Sequence, residues 1–171
     1  MQILFLNDLL TFLLCFLLWG LLQLGAALLC LSLPEQAFSP ERFFYRTHRW
    51  ERGGRIYETL LRVKSWKHLL PDGAAAWKQG YRKRSLSDHS EANLRRFLVE
   101  SARGELTHWL AIAPFWLFGL IAPPDVLWIM LAYALAFNLP CIIVQRYNRP
   151  RVAALIARLY PSPAAEPAQS N

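Results

Sequence analysis

The sequence predicts an all-α integral membrane protein: about three transmembrane helices, with a cytoplasmic, interfacial segment of helix and loop between the first and second. Three observations predict it. An almost uncharged apolar run opens the chain, a second apolar region is interrupted once by a proline pair, and a basic, aromatic-rich stretch lies between them. The 171 residues are 54% hydrophobic and 18% charged, with a mean hydropathy of +0.19. That composition excludes a disordered chain, and the length holds about one domain.

The first span is expected over about residues 9–31. From Ile3 to Leu33 the only charged residue is Asp8, and roughly 20 apolar residues cross a bilayer. A secretory signal would start with basic residues and have a shorter apolar centre. Here the first basic residue is Arg42, and Leu29 stands before Cys30 where a lipoprotein cleavage site needs a small residue.

The second and third spans, about 106–122 and 126–144, form a hairpin. At Ala122-Pro123-Pro124-Asp125 two prolines remove backbone donors and stop a helix. The first arm is close to the shortest length that spans, which leaves a full crossing and a re-entrant hairpin both open. On the other arm Pro140 cannot donate to the Ala136 carbonyl, so a kink is expected there.

Charge sets the expected orientation. Residues 34–105 carry fifteen of the nineteen Lys and Arg, and the remaining four Arg follow the hairpin. Basic residues gather on the cytoplasmic side, which puts the N-terminus and the Pro-Pro turn outside and the C-terminus inside. Trp50, Trp66, Trp77, Tyr45, Tyr57, Tyr81, Phe43 and Phe44 are interleaved with those bases, a mixture suited to lipid headgroups. It also suits single-stranded nucleic acid, but the flanking spans argue against that partner. Residues 1–160 read as one domain, and 161–171, rich in Pro and Ala, as a disordered tail.

Several chemistries lack their signature. Cys15, Cys30 and Cys141 lie in apolar runs and read as small buried hydrophobes. Glu105-x-x-His108 copies half of a carboxylate-bridged iron site, but no second copy appears, and no metal is expected. Gly-x-Ser-x-Gly, a phosphate loop and a dinucleotide fingerprint are absent. In Trp66-Lys67-His68-Leu69-Leu70-Pro71-Asp72-Gly73, the His68 to Asp72 spacing is one residue short of the His-x-x-x-x-Asp of soluble-faced glycerolipid acyltransferases.

What remains converges at the inner face. Counted from the Pro-Pro apex, His108 and Pro140 both lie about 23 Å down antiparallel arms at ~1.5 Å per residue. Glu105 then falls level with Ile142 or Ile143, and Glu100 and Arg103 near Gln145 to Asn148. Glu105 and His108, three apart, share a helix face. Asn138 and His108 are polar groups inside apolar runs and are functional candidates on that ground. For His108 the plain alternative is an interfacial side chain paired with Glu105, and for Arg149 and Arg151 a positive-inside anchor.

These residues carry a resemblance. Trp66-Lys67 with Asp72-Gly73, then Glu100-x-x-Arg103-x-Glu105-Leu106-x-His108-Trp109, then Asn138-x-Pro140 leading into Gln145-Arg146-Tyr147-Asn148-Arg149-Pro150-Arg151, resemble the glycosyl-4,4'-diaponeurosporenoate acyltransferase family in order and spacing. The resemblance spans roughly the whole chain except the tail. It implies transfer of a fatty acyl chain to a sugar hydroxyl of a glycosylated carotenoid carboxylate, the closing step of a staphyloxanthin-like pigment pathway.

On that reading, His108 is the general base and Glu105 fixes its tautomer, with Asp72 and Arg103 completing the catalytic candidates. Arg146 and Asn148 would stabilise the oxyanion, and Arg149, Arg151 and Lys67 would hold donor phosphates. Trp66, Glu100, Trp109, Asn138, Gln145 and Tyr147 complete the expected substrate contacts. No cofactor is implied beyond acyl-CoA or an acyl-carrier protein as donor substrate. The expected partners are membrane lipids, the acyl donor, the glycosylated acceptor and neighbouring biosynthetic enzymes. The alternative is a non-catalytic lipid-binding subunit or scaffold of a biosynthetic complex.

Overall fold

The structure is a computed structural model, and it describes residues 2–70 and 89–161. Helix α1 covers Asp8–Ser32. Asn7 caps it, its Oδ1 accepting from the Leu10 amide at 2.9 Å, and Pro34 follows its end. At ~1.5 Å per residue its 25 residues reach beyond the roughly 30 Å of a bilayer's hydrocarbon core.

Short elements follow: 3-10 turns at Glu35–Phe38 and Arg49–Gly54, helix α2 over Arg55–Leu61, helix α3 over Val63–Trp66 and a 3-10 turn at Lys67–Leu69. Helix α4 covers Glu91–Ile112, continuing as 3-10 helix over Ala113–Leu120. Helix α5 covers Pro124–Leu159, with Pro124 at its start, where a missing amide costs nothing. Among the described residues there is no strand.

Helices α4 and α5 form the expected hairpin and α1 packs beside α4. Ile3 and Leu4 amides both donate to the Leu120 carbonyl, at 2.8 and 3.1 Å, and Cys15 packs with Phe118 and Ala122. The N-terminus and the proline elbow therefore lie at one end. At the other, Cys30 packs with Phe38, Tyr45 and Ala102.

The first hairpin arm differs from the expected span. Among the described residues two helices, α1 and α5, are long and apolar enough to cross a membrane; a third span at 106–122 is not confirmed. Pro114 divides that arm: it has no amide to donate, and its φ of −82° and ψ of 21° leave the helical region. The arm also starts earlier, because Glu91 to Ile112 is one helix, whose apolar positions Leu94, Phe97 and Leu98 pack against Val152 and Ile156 of α5. Helix α5 runs on through Pro140 and Pro150.

Candidate functional site

The hairpin arms meet in a buried polar network. Glu105 of α4 is 0% exposed. Its Oε1 accepts from Arg146 Nε at 2.7 Å and its Oε2 from Arg149 Nη2 at 2.6 Å. Arg146 continues through Nη1 to Glu51 Oε1 at 2.8 Å and through Nη2 to the Phe44 carbonyl. Arg149, 3% exposed, donates to the Tyr45 and Ser101 carbonyls at 2.7 and 3.2 Å. Two guanidiniums thus face two buried carboxylates, and their fork geometry also satisfies backbone carbonyls of the 43–45 segment.

Glu51 is fixed on its own side. The Tyr57 hydroxyl donates to its Oε1 at 2.8 Å and the His48 amide to its Oε2 at 3.0 Å. Burial first, then the hydrogen bond to Glu51, pushes the Tyr57 phenol well above its ordinary value. Gly54 lets this segment lie flat on α5: its φ is +81°, and a Cβ there would fall 2.8 Å from Arg151 Nη1 and 3.1 Å from the Tyr147 carbonyl.

One turn along α4, Nδ1 of His108 lies 2.8 Å from Oδ1 of Asn138. Asn138 is 2% exposed, and its Nδ2 donates to the Ala134 carbonyl at 2.9 Å. Ile112, one turn from His108, packs with Ala134 and Ile142, one turn to either side of Asn138. The neighbour suggested by spacing, Glu105, has both oxygens engaged by arginines; the group facing Nδ1 is an amide from the other arm.

A third cluster is cationic. Arg151 stacks 3.6 Å above the centre of the Tyr147 ring, and Lys67 Nζ lies 5.1 Å from it. Lys67 also donates to Asn148 Oδ1 at 3.3 Å. Burial, then the Arg151 charge, holds the Lys67 ammonium below its usual range, as expected of two cations sharing a niche.

The remaining candidates are dispersed. Trp66 donates Nε1–H to the Leu61 carbonyl at 2.7 Å and packs on the Tyr57, Val63 and Tyr147 cluster. Gln145 Oε1 accepts from Ser101 at 2.9 Å. Arg103 pairs with Glu100 and lies over the Phe38 ring, beside α1 and away from His108. Trp109 is exposed. Asp72, Trp77 and Tyr81 lie outside the described residues. Sequence reasoning missed Glu51, Tyr57, Ser101 and Gly54. The one local signal was His48-x-x-Glu51, whose spacing suits the capping box found there.

Comparison with known proteins adds the reaction. Residues 40–158 match the family described as glycosyl-4,4'-diaponeurosporenoate acyltransferase. A protein of that name from Staphylococcus haemolyticus is 34% identical over 134 residues, covering 78% of each chain. One from Staphylococcus aureus is 32% identical over 142 residues, covering 83% of this chain and 86% of its own. No solved structure matches. Every polar cluster above falls within the matched residues, and the chain belongs to the glycosyl-4,4'-diaponeurosporenoate acyltransferase family and is an acyltransferase.

Proposed function

We propose that this enzyme moves a fatty acyl group from a thioester donor to a sugar hydroxyl of a glycosylated carotenoid or a related glycolipid, with His108 as general base. The relatives' shared name supports the acceptor. The observation that carries the residue assignment is the imidazole seated between α4 and α5 against a buried amide. A sugar hydroxyl is a weak nucleophile at neutral pH, and a base within ~3 Å must take its proton as it attacks the thioester carbonyl. An ordinary imidazole, with a pKa near 6.5, is mostly neutral at pH 7. Attack is then direct: the hydroxyl oxygen bonds to the acyl carbon, the thiolate departs, and the imidazolium returns its proton to that sulfur.

The arginines divide the remaining work. Arg146 and Arg149 spend their amino groups on Glu51, Glu105 and three backbone carbonyls, so their part is to hold the site together. Lys67, Asn148 and Arg151 suit the phosphates of a coenzyme A or carrier-protein donor, because a phosphate there relieves the repulsion between the two cations. The reading places the enzyme in the inner membrane as a multi-pass protein, elbow and N-terminus outside and the basic end cytoplasmic.

The test is to express the chain in cells that make a glycosylated carotenoid and read the lipid extract by mass spectrometry. An added fatty acyl mass on the acceptor is expected. An unchanged acceptor, with the protein inserted and a long-chain acyl-CoA supplied to the membranes, would refute this reaction.

A further inference from the structure

We propose that Asn138 is a positioning residue that fixes His108 as the tautomer protonated on Nδ1, leaving the Nε2 lone pair as the base; this rests on the assignment of His108 made above. The Asn138 amide sets the direction of the hydrogen bond. Its two ends differ chemically, and the Ala134 carbonyl, 2.9 Å from Nδ2, accepts only from an N–H. The NH₂ must therefore point along α5 to Ala134, and the carbonyl Oδ1 must point across to His108, 2.8 Å away. An acceptor on Nδ1 requires a proton there. An amide turned the other way would bring two carbonyl oxygens together in a buried site. Asn138 is itself 2% exposed, so solvent at the amide would not relieve such a contact.

The arrangement parallels the acid that orients histidine in a hydrolytic triad, with a neutral group in its place. A neutral orienter adds no charge beside the imidazole. In the adjoining network Glu105 on α4 is matched by Arg146 and Arg149 on α5, and Glu51 joins Arg146 from the 49–54 turn. Helix α1 carries only Asp8, at its far end, and Ala113–Leu120 carries no charged residue.

Two variants of the whole enzyme in detergent or nanodiscs separate this role from packing. Asn138→Leu keeps the volume and removes the acceptor. It is expected to lower kcat by roughly 10- to 100-fold with KM for a long-chain acyl-CoA little changed. Asn138→Asp keeps an acceptor toward Nδ1. It is expected to recover activity to within about tenfold, with the acid limb of the pH profile moved up by about one unit once the carboxylate ionises. Nitrogen-15 spectra of histidine-labelled protein, with the His108 signal identified by its loss in His108→Ala, read the tautomer directly. Nδ1–H in the native protein and a mixture in Asn138→Leu are expected.

An Nε2–H tautomer in the native protein overturns the proposal, as does a native kcat in Asn138→Leu while His108→Ala is inactive. A native rate in His108→Ala overturns the assignment of the base itself, which is a separate failure.

Discussion

Glu105 shows what a buried charge requires. Its carboxylate lies wholly out of water and is acceptable only because two guanidiniums meet it. Removing one member of such a group leaves an uncompensated charge, at a cost of about 3–5 kcal/mol. Glu105→Ala should therefore lower the unfolding midpoint sharply in detergent, whereas a midpoint near the native one would mean the arginines find other partners. Tyr57 gives a prediction in pH. Its raised phenol pKa means the folded state keeps a proton that the unfolded state releases above about pH 10. The stabilisation is complete below that pH and is lost as pH rises further. Tyr57→Phe should flatten the alkaline fall in stability, read by unfolding from pH 8 to 12. The roles of His108, Glu105 and Arg146 as polar groups of one interface were legible from spacing. The partner of Nδ1 was not, because Asn138 and Glu105 are both within plausible reach in a one-dimensional count and only the register decides between them.

At the level of elements, the proline elbow did most of the predicting. Counting from it set His108 level with Pro140, and the structure pairs it with Asn138, two residues away. It set Glu105 level with Ile142 or Ile143, yet the carboxylate meets Arg146 and Arg149, because side chains on both antiparallel helices lean toward their own N-termini and so toward each other. The 43–54 segment was opaque to such counting. Its bond from Arg146 to Glu51 joins residues 95 apart, and no periodic pattern marks a loop that folds back over a hairpin. Gly54 is where that fold-back is most constrained. Gly54→Ala adds a side chain to a left-handed residue against Arg151 and Tyr147, so it should destabilise by about 1–3 kcal/mol and raise KM for acyl-CoA by displacing Arg151. A variant with native KM and stability would show that the segment can lift without consequence.

In the whole molecule, two apolar helices and one shorter, proline-divided arm hold a polar centre at the basic end. The first apolar helix was readable in the sequence, because an uncharged run of that length answers directly to bilayer thickness. The depth of the first hairpin arm was not, because Pro114 and the amphipathic start of α4 give that arm two characters. The network of Glu51, Glu105, Arg146 and Arg149 then ties the 43–57 segment to both arms, and the imidazole of His108 sits one turn inside it. The central claim is that this imidazole takes the acceptor's proton. It is tested most directly by the initial rate of acyl transfer in membranes carrying equal, inserted amounts of the native enzyme and His108→Ala. The account predicts a loss of about 100-fold or more in the variant. Equal rates would contradict it.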